Sequence, residues 1–334
     1  MERFENGPGR TVLLARAKLL QAVRLYFHEQ DVLEVATPAL GSRGVTDSQI
    51  QNLKVNSNNQ SYYLQTSPEF AMKRLLASGS GSIYQICSAY RGGEQGRYHN
   101  MEFMMLEWYR VGYTLTELMD DVEQMLRFIT HRLALKETNF RQLNRVSYRE
   151  LFQQKFAIDP HHATIEELRT QAELANIDCS HIIDRGDEGT LSEYMEVMFS
   201  LGIEPALGEY TIVYNYPACQ VALAQLGEAG GDQVARRFEV YVSGLELANG
   251  YLELGDSSEA REHMNRDNEL RAVRGLETVE VDEQFLASLS YMPECSGIAL
   301  GLDRLLMVLL GKNQLSDVIS FSLENSDPGQ PARH

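Results

Sequence analysis

The chain has 334 residues, of which 43% are hydrophobic, 23% charged and 9% aromatic, enough apolar material for one large domain or two ordinary ones and no sign of wholesale disorder. Its formal net charge of −17, without any Lys/Arg-rich run, argues against a surface built to grip a nucleic-acid backbone and otherwise reads as solubility. The start lacks the apolar core of a signal peptide, the longest apolar run (Leu305 to Leu310) is far too short to cross a bilayer, and Cys87, Cys179, Cys219 and Cys295 form no CxxC pair, as expected of a reduced cytoplasmic protein without disulfides or structural zinc.

Thr11 to Gln30 reads as a helix with Leu13, Leu20, Val23 and Phe27 on one stripe. It runs into VLEVATP, where Leu33 and Val35 alternate with Glu34 and Pro38 closes the strand. A polar loop (GSRGVTDSQ) and short strand-like pieces lead to YLQTSPE, and FAMKRLLAS is a short helix. IYQICSAYR and MEFMMLEWYR are strands of a long hairpin joined by GGEQGRYHN. Thr114 and Glu117 form a capping box for an amphipathic helix through Leu118, Val122, Met125 and Ile129. From about Lys136 to Leu207 three more such boxes, Ser147 to Glu150, Thr164 to Glu167 and Thr190 to Glu193, predict a helical insertion. TIVYNYP resumes as a strand, and RFEVYVSGLELANGYLEL is a hairpin about Ser243-Gly244. SSEAREHMNRDNELRAV is a charged helix, and SGIALGLDRLLMVLL a glycine-rich strand feeding another. Strands joined mainly by hairpins, with helices between groups, predict an α+β fold with an antiparallel sheet. We expect one domain over 1–323 and a loose tail over 324–334.

Three constellations carry chemistry. In the hairpin about Ser243-Gly244, Tyr241 faces Glu246, and Glu239 shares a face with Tyr241, so two carboxylates lie diagonally on one face. Something cationic between them would relieve their repulsion, and hard oxygen ligands suit Mg²⁺ carrying a nucleotide's phosphates; two solvated glutamates is the commoner arrangement. Asn249, Tyr251 and Glu253 share a face of opposite parity to Glu246, so lining one pocket requires a bulge near Ala248 to Gly250. On the strand MEFMMLEWYRV, Phe103, Met105, Glu107 and Tyr109 point one way, and a glutamate among apolar neighbours calls for a cation: a substrate, or Arg110 wrapped round from the opposite face. Arg91, ending a strand, and Arg304, opening a helix, stand where guanidinium groups can meet phosphate oxygens or make ordinary salt bridges.

Together these segments resemble the class II aminoacyl-tRNA synthetases. The strand closed by Pro38 resembles motif 1, YRGGEQGRYHNMEF with MMLEWY motif 2, and GIALGLDR motif 3. TSPEFAMKRL, YNYPA and ELANGYLEL are similar to the lysyl branch, and GRYHNMEFMMLEWYR with the Ile203 to Pro205 stretch is similar to the elongation factor P lysine ligases within it. These are truncated lysyl-tRNA synthetase paralogues that attach (R)-β-lysine to a lysine of elongation factor P. The likeness runs from about Leu19 to Phe321, and the expectation is of a catalytic domain without an anticodon-binding domain.

The resemblance implies an enzyme, a ligase using ATP and Mg²⁺ in the cytoplasm, working as a homodimer without tRNA or membrane. It implies that Arg91 and Arg304 meet the α- and γ-phosphates, that Glu239 and Glu246 hold the metal, and that His99, Asn100 and Phe103 lie at the motif 2 loop and the adenine. It places Ser67, Glu69, Glu107, Tyr109, Ala248, Asn249, Tyr251 and Glu253 at the amino-acid pocket, with Ser67 and Ala248 following the ligase pattern where lysyl-tRNA synthetases carry Ala and Gly. Three carboxylates suit a substrate with two ammonium groups. Two departures stand out: Gly93 replaces the glutamate of the RNEE pattern that contacts the adenine amino group, leaving Glu94 to take that role or adenine less tightly held, and Met101 replaces the usual Pro. A minimal synthetase acting on tRNA and a catalytically silent binding module are the rival functions, the charge opposing the first and Gly93 favouring the second.

Overall fold

The structure, a computed structural model, describes residues 8–134, 144–208 and 210–322. The expected tail and the start of the expected insertion lie outside these residues. None of the helices described is long and apolar enough to cross a membrane.

The chain opens with α1 (Arg10–Glu29), which buries Leu19, Val23 and Phe27 but leaves Leu13 about half exposed, so the predicted stripe holds only from its middle onward. Strands β1 (Leu33–Glu34), β2 (Leu40–Gly41), β3 (Lys54–Ser57) and β4 (Gln60–Leu64) precede α2 (Glu69–Ala77). The long hairpin is β5 (Ile83–Tyr90) and β6 (Glu102–Val111), and α3 (Leu115–Leu133) follows with the Thr114–Glu117 capping box in place. The expected insertion is helical, with α4 (Tyr148–Phe156), α5 (Ile165–Leu174) and α6 (Glu188–Met198), but it enters through a strand, β7 (Asn144–Ser147). The boxes at Ser147 and Thr164 are formed. The one expected at Thr190 is not: Asp187 accepts the Thr190 N–H and caps α6, because its carboxylate lies three residues earlier, and Glu193 turns to Arg185 and Arg274.

Then come β8 (Thr211–Pro217), β9 (Leu226–Ala229), β10 (Asp232–Val242), β11 (Leu245–Leu252), α7 (Ser257–Val273), α8 (Glu283–Leu289), β12 (Cys295–Gly301) and α9 (Leu302–Leu309). Among the described residues nine strands form one sheet in the order β1-β5-β6-β12-β11-β10-β8-β7, with β9 on β10. Its ladders are antiparallel except at the two ends, β1 with β5 and β7 with β8. One face is covered by α1, α3 and α9 around Phe27, Leu106, Trp108, Leu126 and Leu306, each fully buried large side chain contributing roughly 1.5–3 kcal/mol. The other face is open along its middle.

Arg110 does not wrap round to Glu107. It faces the helix layer and pairs with Asp121 at 2.7 and 2.8 Å, while Trp108 Nε1 and Tyr26 Oη also donate to Asp121. Alternation along β6 forces this, since residues 107 and 110 have opposite parity.

Candidate active site

The open face of the sheet borders a cavity of about 900 Å³. Ser67, Glu69, Arg91, Glu94, His99, Asn100, Phe103, Glu107, Tyr109, Glu239, Glu246, Asn249, Tyr251, Glu253 and Arg304 all line it. Of the residues expected there, only Ala248 does not.

The β10–β11 hairpin explains both outcomes. Ser243 and Gly244 have φ of 50° and 77°, the left-handed pair that a two-residue turn needs. Tyr241 then faces Glu246, but Val240 faces Ala248, so Leu247 is an extra residue. The bulge falls just before the stretch where it was expected. It brings Asn249 opposite Glu239 and returns Asn249, Tyr251 and Glu253 to the face of Glu246. Ala248, opposite Val240 and Leu300, is thereby turned into the core, buried among apolar side chains. Its expected contact with the amino acid is corrected accordingly.

Two arginines, Arg91 and Arg304, line one end of the cavity. Arg304 lies in the first turn of α9 and donates to the Tyr98 and Glu246 carbonyls, lies 2.8 Å from His99 Nε2, and approaches the Glu246 carboxylate at 3.7 Å. Its neighbour Asp303 accepts from the Met104 N–H and pairs with Arg16 at 2.6 Å, fixing α9 against β6 and α1. Arg91 stacks over Phe103 at 5.1 Å, sits 3.7 Å from Glu94 and keeps a buried Nε without a hydrogen-bond partner. Partial burial and the adjacent Arg304 pull His99 below its ordinary pKa. Gly93 has φ of 76°, and a side chain there would meet Gln51 Oε1 at 3.1 Å, so the backbone itself disfavours the glutamate that the pattern leads one to expect.

The two carboxylates of the hairpin do not face an unshared gap. Arg237, Tyr216 and Tyr241 all donate to Glu239, and Arg237 also donates to Asn249 at 3.2 Å and lies over the Tyr216 ring at 4.6 Å. Burial, then the charge of Glu239, raises the Glu246 carboxyl above the ordinary range, while Arg304 opposes this. No group of three or more His, Cys, Asp or Glu side chains poised for a metal occurs among the described residues.

At the other end, Glu107 accepts from the hydroxyls of Ser67 and Tyr109, both at 2.6 Å, and has no cation in hydrogen-bond reach among the described residues. Burial, then the charge of Glu69, pushes its carboxyl up to about 8. Glu253 lies over Gly297, where a side-chain carbon would come within 2.3 Å of its Oε1. Burial raises Glu253 as well, against the pull of Lys73. Lys73 Nζ is 2.6 Å from Glu69 Oε1 and 2.6 Å from Glu253 Oε2.

Lys73 and Arg237 were both missed in the sequence. Their signals were periodic: Lys73 is four residues after Glu69 on one helix, and Arg237 two before Glu239 on one strand. The cavity thus has a cationic end suited to phosphates and a carboxylate-rich end suited to ammonium groups, joined by one strand face.

A family model for class II tRNA synthetases (D, K and N) matches residues 4–325. Among curated proteins, the elongation factor P (R)-β-lysine ligase of Photorhabdus laumondii is 43% identical over 321 residues, covering 93% of this chain and 94% of that protein. Those of Salmonella arizonae and Pectobacterium atrosepticum are each 40% identical, over 94% of this chain and 95% of theirs.

Proposed function

Since the chain belongs to the class II tRNA synthetases of the D, K and N group, we propose that it is an ATP-dependent ligase that activates (R)-β-lysine and transfers it to a lysine of elongation factor P. The observation that carries the substrate class is the set Glu69, Glu107 and Glu253 around one end of the cavity, with Asn249 and Tyr251 on the same strand face. An ammonium group brought to Glu107 supplies the cation this buried carboxylate lacks.

ATP lies with its phosphates between Arg91 and Arg304, which neutralise charge developing as the amino-acid carboxylate attacks the α-phosphorus and pyrophosphate departs. Phe103 and the motif 2 loop residues Glu94, His99 and Asn100 frame the adenine side. Mg²⁺ would be held by the partly exposed Glu246 and the buried Glu239 together with phosphate oxygens, and the repulsion between these two carboxylates fits a cation there; bound, it neutralises phosphate charge. In the second step the lysine amine of the protein acceptor attacks the adenylate carbonyl and AMP leaves, a step for which positioning suffices once the amine is neutral.

We also propose that the enzyme acts as a homodimer through α1 and β1, whose Leu13, Leu14 and Leu33 are each about half exposed. Light scattering that finds only the 37.8 kDa monomer at micromolar concentration would count decisively against this.

The test of function is ATP–pyrophosphate exchange with (R)-β-lysine and with α-lysine, in the absence of tRNA, followed by mass analysis of elongation factor P. Exchange with a lysine isomer alone and a single-residue mass gain are expected. Exchange that demands tRNA, or none with any isomer, refutes the proposal.

A further inference from the structure

Lys73 is the feature that the amino-acid pocket does not account for by itself. It stands on α2 with its side chain 1% exposed, behind the lining of the cavity, and is among the largest fully buried side chains of the molecule. A buried ammonium is costly unless paired, and here it is paired twice, at 2.6 Å to Glu69 and 2.6 Å to Glu253. Each contact uses one carboxylate oxygen, Oε1 of Glu69 and Oε2 of Glu253, so each residue keeps an oxygen for a ligand. The groups facing this cluster from the packed elements are Glu107 and Tyr109 of β6, Tyr251 of β11 and Cys295 of β12, none of them cationic. Among the described residues Lys73 is therefore the cation that offsets one of the three carboxylates, so that with all three ionised two negative charges remain for a substrate with two ammonium groups.

We infer that Lys73 is a positioning residue of the amino-acid pocket: its ammonium, bridging Glu69 and Glu253, holds both carboxylates aimed, so that together with Glu107 they match a diamino acid. It is not an acyl acceptor. Burial lowers its basicity, but Glu253 and Glu69 more than offset that and keep it protonated. This rests on the pocket being the amino-acid site, as proposed above.

The experiment is pyrophosphate exchange across pH for the wild type, Lys73→Met and Lys73→Arg. If the wild type supports no exchange with any lysine isomer, the functional proposal itself fails and this one with it. Otherwise Lys73→Met should raise KM for the amino acid about thirtyfold or more with KM for ATP within about twofold. It should also move the acid limb of kcat/KM upward by about one pH unit or more, because two facing carboxylates without their cation retain a proton. Lys73→Arg should recover most of both effects. A Met variant with wild-type KM and an unmoved limb makes Lys73 a fold element only and overturns the inference. Should the Met variant fail to fold, ¹⁵N spectra of the lysine ammonium groups in the wild-type protein decide: the signal absent from Lys73→Arg should shift on adding lysine, and one that stays in place refutes the assignment.

Discussion

Replacing Glu107 by Gln should make the protein more stable and nearly inactive at once. This carboxyl is 2% exposed and is pushed up to about 8, against an ordinary 4.5, because burial and then the charge of Glu69 penalise its ionised form. Between those two values the native state holds a proton that the unfolded chain has released, so stability falls as pH rises through that window and the loss is complete above about 8. At pH 7 the difference of 2.5 units from 4.5 corresponds to about 3 kcal/mol of lost stability. A glutamine keeps an acceptor for Ser67 and has no charge to bury, so it should regain much of that and raise the unfolding midpoint by several degrees. Its gain should vanish near pH 4, where the native glutamate is protonated as well. Activation of the amino acid should suffer in the opposite sense. Losing a buried partner of a substrate ammonium costs about 3–5 kcal/mol, a drop of roughly two to four orders of magnitude in kcat/KM for the amino acid. For the wild type, kcat/KM should climb with pH through about 8, as Glu107 becomes the carboxylate that the ammonium needs. Thermal melts from pH 4 to 9, paired with pyrophosphate exchange over the same range, check both halves. A Gln variant that is no more stable at pH 8 than the wild type, or that activates lysine normally, refutes the account of this pocket.

Three further outcomes are expected. Arg304→Ala should lower exchange by about two orders of magnitude through the ATP step, with KM for ATP rising more than KM for the amino acid, as initial-rate kinetics would reveal. Ser67→Ala removes the 2.6 Å hydroxyl contact to Glu107 and should change the ratio of kcat/KM for (R)-β-lysine and α-lysine, whereas Ala248→Gly, made on the core side of the strand, should cost about 1 kcal/mol of stability and leave that ratio alone. Asp121→Ala should strand the buried Arg110 and cost about 3–5 kcal/mol in denaturant titration without touching the cavity.

Much of this was legible in the residues. The hairpin turn, the facing of Tyr241 and Glu246 and the need for a bulge all come from a period of two and from the Ser-Gly pair. Other features depend on which partner reaches a group first. Thr190 looked like a helix cap, but Asp187 offered a carboxylate at the right distance three residues earlier. Arg110 was free to choose by sequence, and Asp121, eleven residues on in a helix, lay on its side of the sheet. Ala248 follows Leu247, and only the exact site of the bulge decides which of neighbouring side chains enters the pocket. Lys73 was passed over because an i, i+4 Glu–Lys pair on a helix is usually a surface device, and nothing local signals that this one is buried.

The bulge at Leu247 also bears on how this hairpin tolerates gain and loss of residues. Glu246 and Asn249 are three apart yet share a face, so a hairpin lacking Leu247 would present the same four side chains from a straight ladder. The extra residue behaves as an absorbed insertion, bending the strand rather than scrambling it. Loss of a residue from Asn249 onward has no such refuge. It would exchange inward and outward positions along the remainder of the strand, sending Tyr251 or Glu253 toward the helix layer and apolar neighbours toward the ligand. The two halves of this strand are thus unequal under deletion: one residue is dispensable to the geometry, and the ones beyond it are counted.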